Sequence, residues 1–452
     1  DIIGQSDHIR KFTLKPLISI VVPVYDPDPR HLTEMIQSVL HQSYDNWQLI
    51  LVDDASPDGT TREIIREYAE KEARINAYYS KKNMHISGAT NKAVSHAKGE
   101  YIALLDHDDL LRPDALFEVV LLINEKPKAD FIYTDEDKIT DDGKKRHSPF
   151  FKPAWNEELL LAVNYITHFS VIRSSVVRQI GGLRSECDGA QDWDLFLRTV
   201  LAIDVRNIHH IPKVLYSWRV HSASTAGDMT VKPYVVKAQY RAVRDYIVKK
   251  GDNEIIVEQN NRYPAVWTRR STDVIKKIPK NIILVCGKPE ILSVKSYTTL
   301  QETTHAKIQV SLMEDLIELI KPIRDGVVLF ITDEYIRDLN IALLQLLIDA
   351  RQPGVGFVSS RYPGKNEILL HLRSMISGQK IDLIKKMSFR DVSRHIYTTT
   401  KYNTPVIYPK ACVAISLSTL KSVLQENNTL DIVALSKIAY NKGYINIHNP
   451  YV

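Results

Sequence analysis

Short apolar runs alternate with amphipathic stretches over the first 125 residues. The apolar runs are rich in β-branched side chains and predict buried strands at residues 17–24, 48–52, 75–79 and 101–105. Between them, apolar residues recur at helical spacing and predict helices at residues 30–41, 60–71, 87–97 and 113–124. Strands that alternate with helices indicate βαβ units, so we predict an α/β fold with a parallel sheet flanked by helices.

The regular alternation stops near residue 130 and begins again near residue 281. Residues 135–155 predict a long polar excursion, and the polar, basic residues 256–280 predict a linker. The apolar runs after residue 281 look like a shortened copy of the first half. We therefore predict a first α/β domain at 1–255, a linker at 256–280 and a second α/β domain at 281–452.

Composition and charge exclude several classes of protein. Of 452 residues, 25% are charged and 44% are hydrophobic, which argues against wholesale disorder. The cysteines Cys187, Cys286 and Cys412 are far apart, which excludes a disulfide scaffold and fits a reducing compartment. The net charge is +5, but the basic residues are scattered, so we expect no nucleic-acid partner.

Apolar length and charge also bear on the membrane. No apolar run approaches the ~20 residues of a spanning helix, and no signal-peptide pattern is present. The net charge of +5 is compatible with loose attraction to an anionic membrane surface. We therefore expect a cytoplasmic protein. Peripheral binding at the cytoplasmic face of the membrane is compatible with this expectation.

Acidic clusters follow two of the predicted strands, where parallel sheets bind ligands. Asp106 and Asp108 are spaced to reach one crevice, and hard carboxylate oxygens suit Mg²⁺ or Mn²⁺. The alternative is an acidic loop that caps the next helix. Asp54 can accept a hydrogen bond from a nucleobase N–H, or the pair Asp53–Asp54 can form an Asx-turn.

Two further residues are candidates because of their place beside predicted elements. Asp192 lies at the start of a predicted helix, where it is either a helix cap or a general base aimed into the crevice. His221 follows a predicted strand, where it can supply a nitrogen ligand or a diphosphate contact. A single histidine is otherwise usually structural.

These pieces together resemble inverting family 2 glycosyltransferases with the GT-A fold. The resemblance covers about residues 16–250, and its motifs occur in the family's order: IVVPVY at 20–25, VDDAS at 52–56, LDHDD at 105–109, QDWDL at 191–195 and WRVH at 218–221. Segments 133–138, 150–153 and 164–168 look like the multidomain enzymes that build O-antigens, capsules and related bacterial surface glycans, including rhamnosyltransferases.

The resemblance implies a site for a nucleotide-sugar donor. Pro23 and Tyr25 would lie against the nucleotide, and Asp54 would hydrogen-bond its base. Asp106 would contact the ribose or metal side of the donor. The implied donor is a UDP- or dTDP-sugar, with dTDP-rhamnose a leading candidate.

The resemblance also implies a metal site and a general base. Asp108 would hold Mn²⁺ or Mg²⁺, His221 would be the second metal or diphosphate contact, and Asp192 would be the catalytic base. The implied reaction transfers a sugar, with inversion, to a hydroxyl of a glycan or lipid-linked glycan. Partner glycosyltransferases are a further expectation.

Two other classes of protein remain as alternative interpretations of the sequence. A sugar-nucleotide pyrophosphorylase should carry a glycine-rich loop after the first strand, where this chain has YDPDP at 25–29. A non-catalytic carbohydrate-binding or scaffold subunit is the other alternative.

We predict that the second domain is a degenerate, non-catalytic GT-A copy, because Thr332 replaces one carboxylate, Ile432 falls at the base position and Asp431 is one residue away.

Overall fold

The chain divides into two compact units. The first comprises Asp1–Trp155 and Asn164–Asn253, and the second comprises Asn156–Val163 and Glu254–Val452. The computed structural model describes residues 2–221, 233–251, 255–259, 266–271, 279–285, 307–312, 315–330, 350, 355–359, 402–404, 413–425, 431–442 and 444–448.

The first unit has one mixed sheet with helices against it. Its strands are β1 (Ile18–Val24), β2 (Trp47–Asp53), β3 (Ile75–Tyr79), β4 (Tyr101–Leu104), β5 (Leu110–Leu111), β6 (Phe131–Thr140), β7 (Arg146–Phe150), β8 (Ser170–Arg173) and β9 (Ile208–Val220). Its described helices are α1 (Ile2–Arg10), α2 (Pro29–Leu40), α3 (Thr60–Lys71), α4 (His85–His96), α5 (Ala115–Glu125), α7 (Ser174–Gln179), α8 (Gln191–Ala202) and α9 (Pro233–Lys249); α6 (Glu157–Ala162) groups with the second unit.

The sheet order is β3-β2-β1-β4-β8-β6-β9-β5, with β7 beside β6. Strands β3, β2, β1 and β4 are parallel, β8 is antiparallel to both β4 and β6, and β6 runs parallel to β9. The prediction of an α/β fold is therefore confirmed, with a parallel half that contains the predicted βαβ units.

Local sequence explains the parallel half. Every residue of β2 is buried, and in β1 only Pro23 is partly exposed. Helix α2 begins at Pro29, a position where the missing N–H costs nothing, and Asp28 caps it by accepting from the Arg30 N–H at 2.8 Å. The face of α2 that carries Leu32, Met35, Ile36 and Val39 is buried against the sheet's core.

Residues 135–155 differ from the predicted excursion. Strand β6 extends to Thr140 and pairs with β7. This polar sequence can form a buried strand because its charges meet partners: Asp135 lies 2.7 Å from His210, and Glu136 lies 3.0 Å from Lys152. Burial of a charge is tolerated when it is paired and hydrogen-bonded.

The second unit is also α/β. Its described strands are β10 (Ile255–Gln259), β11 (Trp267–Ser271), β12 (Asn281–Val285), β13 (Lys307–Ser311), β14 (Val327–Phe330), β15 (Val355–Ser359), β16 (Tyr402–Thr404), β17 (Val413–Ser416) and β18 (Ile445–His448). Besides α6, its described helices are α10 (Leu316–Ile320), α11 (Leu417–Leu424) and α12 (Ile432–Asn441).

The predicted linker at 256–280 contains an antiparallel pair of strands, β10 and β11. Its polar and basic residues suggested a structureless connection, but Val257, Val266 and Trp267 are buried. Helix α6 lies in the predicted first domain by sequence, yet it contacts β11 and β16 of the second unit. Apolar burial, which the charge pattern does not reveal, explains both differences.

Part of the strand order of the first sheet recurs in the second unit. Its larger sheet has the order β13-β12-β14-β17-β15-β18-β16. Strand β12 is parallel to β13 and β14, as β1 is to β2 and β4. Strand β17 is antiparallel to β14 and β15, as β8 is to β4 and β6, and β15 is parallel to β18, as β6 is to β9. Six described strands of the second unit thus repeat the arrangement of β2, β1, β4, β8, β6 and β9, whereas β3 and β7 have no counterpart among the described strands.

Candidate functional site

The carboxyl ends of β1, β2 and β4 open onto a cavity of about 540 Å³. The residues that line it are Pro23, Val24, Tyr25, Asp54, Asn83, His85, Ile86, Ala89, Asp106, His107 and Asp108. A smaller cavity shares Pro23, Ile86 and Asp106 with the first, and Thr167, His168, Gln191 and Asp192 also line it. The structure therefore brings most of the predicted site residues to one edge of the sheet.

The two adjacent acids after β2 have different roles. Asp53 is fully buried, and its carboxylate accepts from the Ser56 N–H at 3.0 Å and from Arg62 Nε at 2.8 Å. Asp54 lines the large cavity, and both of its oxygens accept from the Met84 N–H, at 3.0 and 2.8 Å. Asp53 thus stabilises the turn, and Asp54 is held at the wall of the cavity.

Tyr25 and Pro23 form the part of the wall that β1 supplies. Tyr25 is 48% exposed, and its neighbour Asp26 adopts a positive φ of 47° where the chain leaves the strand. The Asp26 N–H donates to Ser56 Oγ at 3.0 Å, which ties this turn to the one after β2. An exposed aromatic ring at the edge of a preformed cavity can stack on a planar ligand.

Asp108 and His221, the two predicted metal ligands, are brought together. His221 Nε2 lies 2.8 Å from Asp108 Oδ2, although the two residues are more than a hundred positions apart in sequence. Both side chains are partly exposed, so a cation can reach them. The imidazole and the carboxylate oxygens offered here by Asp108 and Asp106 suit Mn²⁺ or Mg²⁺. The donor atoms present therefore fit the predicted ion.

Asp106, Asp109 and His168 also lie close enough to hold an ion, with one ligand atom of each within 4.8 Å of the others. Asp109, however, is fully buried, and its carboxylate already accepts from the Tyr216 hydroxyl and, at 2.7 Å, from the Arg219 N–H. Burial raises the pKa of Asp109, and its acidic neighbours raise it further. Asp109 is therefore better suited to hold the loop than to bind a cation.

The guanidinium of Arg219 supports the acidic loop from the end of β9. Arg219 is fully buried, and its Nε donates to the backbone carbonyl of Asp108 at 2.7 Å. It also donates to Glu34 at 2.6 Å and to the backbone carbonyl of Asp141 at 2.9 Å. Arg219 thus holds in place the backbone of Asp108, the predicted metal ligand.

Asp192 is the second residue of α8 and lines the smaller cavity. Asn164 Nδ2 donates to its Oδ2 at 2.7 Å. Burial raises the pKa of Asp192 above its usual range, against the opposing effects of the Trp193 N–H, His168 and Asn164. A carboxylate with a raised pKa at the wall of a cavity is suited to accept a proton. Asp194, in contrast, is fully buried and paired with Arg184 and Arg198.

A cluster of ionisable residues, with Glu136 and Lys152 buried and His168 partly exposed, was not assigned a role from the sequence. It consists of Glu136, Lys152 and His168, one from each of the three segments that suggested the surface-glycan subgroup. Burial alone would lower the pKa of His168, but pairing with Asp106 and Glu136 outweighs it and holds this pKa well above the ordinary value. The only signal for this cluster in the sequence was that each of the three segments contains an ionisable residue.

Comparison with known proteins identifies the family. Residues 19–181 match the model of glycosyl transferase family 2. The uncharacterized glycosyltransferase RT0329 of Rickettsia typhi is 30% identical over 227 residues, which are 48% of this chain and 68% of RT0329. The chain belongs to glycosyl transferase family 2, and the predicted GT-A fold is confirmed.

Two longer relatives are also similar. The uncharacterized protein y4gI of Sinorhizobium fredii is 45% identical over 276 residues, which are 60% of this chain and 30% of y4gI. The O-antigen biosynthesis protein RfbC of Myxococcus xanthus is 34% identical over 314 residues, which are 69% of this chain and 24% of RfbC. The chain thus spans less than a third of the length of each of these relatives. Among the residues that the structure describes, no helix is both long and apolar enough to cross a membrane.

Proposed function

We propose that this chain is an inverting, metal-dependent glycosyltransferase that moves a sugar from a UDP- or dTDP-sugar to a hydroxyl of a growing bacterial surface glycan. The observation that carries the proposal is the convergence of Asp54, Asp106, Asp108 and Asp192 on two adjoining cavities. The similarity to RfbC, named an O-antigen biosynthesis protein, supports the choice of a surface glycan. Rhamnose as the transferred sugar rests only on the subgroup resemblance.

Asp192 acts as the general base in this proposal. The acceptor hydroxyl enters the smaller cavity and gives its proton to the Asp192 carboxylate while its oxygen attacks C1 of the donor sugar. Asn164 keeps the carboxylate in place through its hydrogen bond to Oδ2. Attack on the face opposite the leaving nucleotide inverts C1, and no covalent enzyme intermediate is needed.

Four residues bind the donor. Tyr25 and Pro23 lie against the nucleotide, Asp54 accepts the N3–H of uracil or thymine, and Asp106 contacts the ribose side. Asp108 and His221 would hold Mn²⁺ or Mg²⁺. The charge of the bound ion would neutralise the negative charge that develops on the leaving diphosphate. The acceptor is a glycan or lipid-linked glycan, and we place the enzyme in the cytoplasm or at the cytoplasmic membrane face, where partner glycosyltransferases can meet it.

We expect calorimetry to show that UDP or dTDP binds in the presence of Mn²⁺. The reason is that Asp54, held by the Met84 N–H at the cavity wall, can accept the single N3–H that both pyrimidines offer. Asp54→Asn should weaken this binding, and the matched control is Asp58→Asn, a change in the exposed turn before α3. Tight binding of GDP without binding of UDP or dTDP would contradict the nucleotide assignment.

We propose that the second unit has no transferase activity of its own. Asp431, the carboxylate nearest to the expected base position, accepts from the Val433 N–H at 2.9 Å and caps α12. Ile432, at that position, cannot accept a proton. Thr332 and Asp333, which occupy the positions expected for the metal-binding loop, lie outside the described residues.

We expect Asp431→Ala to lower the free energy of unfolding of the second unit by about 1 kcal/mol and to leave sugar transfer unchanged, because removal of a helix cap has that cost. Thermal unfolding and turnover of the full chain measure the two effects. The control is Asp431→Asn, which keeps a capping oxygen. Loss of transfer in a folded Asp431→Ala variant would show that the second unit takes part in catalysis.

A further inference from the structure

His168 lies between the carboxylates of Asp106 and Glu136. Its Nε2 lies 3.6 Å from Asp106 Oδ2, and its Nδ1 lies 3.4 Å from Glu136 Oε2. The side chain is 23% exposed and lines the smaller cavity together with Asp106 and Asp192. Among the ion pairs of the described residues, His168 is therefore the basic side chain that faces Asp106.

The ring of His168 is held in one orientation. It stacks on Tyr216 with the ring centroids 4.7 Å apart and an angle of 10° between the planes, and it lies at a tilt against Trp218 at 5.7 Å. Its own backbone N–H donates to Glu136 Oε2 at 3.1 Å. A ring fixed by stacking and by its backbone can fix the direction of a carboxylate that faces it.

Glu136 is in turn fixed by buried donors. Its Oε2 accepts from Lys152 Nζ at 3.0 Å and from Thr167 Oγ1 at 2.6 Å. Lys152 also donates to the backbone carbonyls of Ile166, at 2.5 Å, and His168. Lys152 and Thr167 thus hold the Glu136 carboxylate in place beside His168.

Asp106 needs such a partner because of its acidic neighbours. The loop after β4 carries Asp106, Asp108 and Asp109, and like charges so close together repel each other. Asp108 is paired with His221, and Asp109 is hydrogen-bonded to Tyr216 and Arg219. His168 is the partner that the structure gives to the third acid.

We propose that His168 is the positioning residue for Asp106: it holds the Asp106 carboxylate in the orientation that binds the donor, and Glu136 with Lys152 holds His168. The proposal rests on the proposed function, in which Asp106 contacts the ribose side of a nucleotide sugar. In this role His168 acts through Asp106 and transfers no proton itself.

The test is His168→Gln in the full chain, with UDP and dTDP binding measured by calorimetry in the presence of Mn²⁺. We expect the Kd of the bound nucleotide and the KM of the donor to rise roughly tenfold, because the Asp106 carboxylate would lose the ring that faces it, while kcat changes less. Glu136→Gln should raise both in the same direction by a smaller factor. The double variant should bind no more weakly than His168→Gln alone, since Glu136 acts through His168.

The matched control is His210→Gln. His210 also pairs with a carboxylate of β6, at 2.7 Å from Asp135, but it is outside the residues that line the two cavities. We expect this change to lower the unfolding temperature without changing the Kd of the nucleotide. Thermal unfolding of every variant shows which ones are folded, and Glu136→Gln tests the same coupling if His168→Gln does not fold.

Several outcomes would overturn the positioning role. These are an unchanged Kd in folded His168→Gln, a fall in kcat with the donor KM unchanged, or additive effects of the two substitutions. If the wild-type chain itself binds neither UDP nor dTDP, the proposed function fails, and the positioning role fails with it. Wild-type binding together with unchanged binding in the variant rejects the positioning role alone.

Discussion

Asp192→Asn should lower the turnover number by roughly 10²–10⁴-fold while nucleotide binding stays close to that of the wild type. The substitution keeps the size of the side chain and its place in the hydrogen bond network with Asn164, but an amide cannot accept the acceptor's proton. Asp192 lines the smaller cavity and not the larger one, so donor binding is expected to survive. Initial rates with a nucleotide sugar and calorimetry with the nucleotide separate the two effects.

The dependence of the rate on pH provides a second measurement on the same group. Because burial raises the pKa of Asp192, its carboxylate becomes protonated at a higher pH than an ordinary aspartate does. The base works only when deprotonated, so the rate should fall as the pH drops through this raised pKa, and Asp192→Asn should abolish that acid limb. A variant that keeps more than about a tenth of wild-type turnover would reject the role of general base.

Asp108→Ala should lower turnover by about 10²–10³-fold, because the charge on the leaving diphosphate would lose its stabilisation. His221→Ala should have a smaller effect, since the carboxylate of Asp108 remains to bind the cation. Exhaustive chelation of the wild type should remove activity, and Mn²⁺ should restore it. Half-maximal activation of His221→Ala should need more Mn²⁺ than activation of the wild type.

The control for Asp108→Ala is Asp114→Asn. Asp114 precedes α5, on the same stretch of chain, and its side chain makes no capping hydrogen bond, so this change should leave turnover unaltered. Wild-type rates that survive chelation would rule out a metal-dependent reaction. Equal losses for Asp108→Ala and Asp114→Asn would point to damage to the fold.

The parallel half of the first sheet and its acidic strand ends could be predicted because each depends on local sequence. The buried runs of β1 and β2 are continuous and apolar, and helix α2 carries its own proline and cap. Parallel strands place their carboxyl ends at one edge, so the spacing of Asp54 and Asp106 after their strands was enough to bring them together. Family motifs then suggested which of the clustered acids has which role.

The buried charges of β6 could not be predicted, because their partners are distant in sequence. Glu136 reads as part of a polar stretch until Lys152 and His168 are seen beside it. The hydrogen bonds from Tyr216 and Arg219 that hold Asp109 could not be predicted either, because both donors are distant from it in sequence. Local periodicity identifies strands and helices, but it does not identify which polar side chains meet inside them.

The path of the chain through α6 has a consequence for the protein's evolutionary history. The polypeptide leaves the first unit at Trp155, supplies Asn156–Val163 to the second unit, returns at Asn164 and crosses again at Asn253. A recombination event with a single breakpoint therefore cannot replace either unit as a whole. A recombination event that replaces the second unit would have to exchange both Asn156–Val163 and Glu254–Val452.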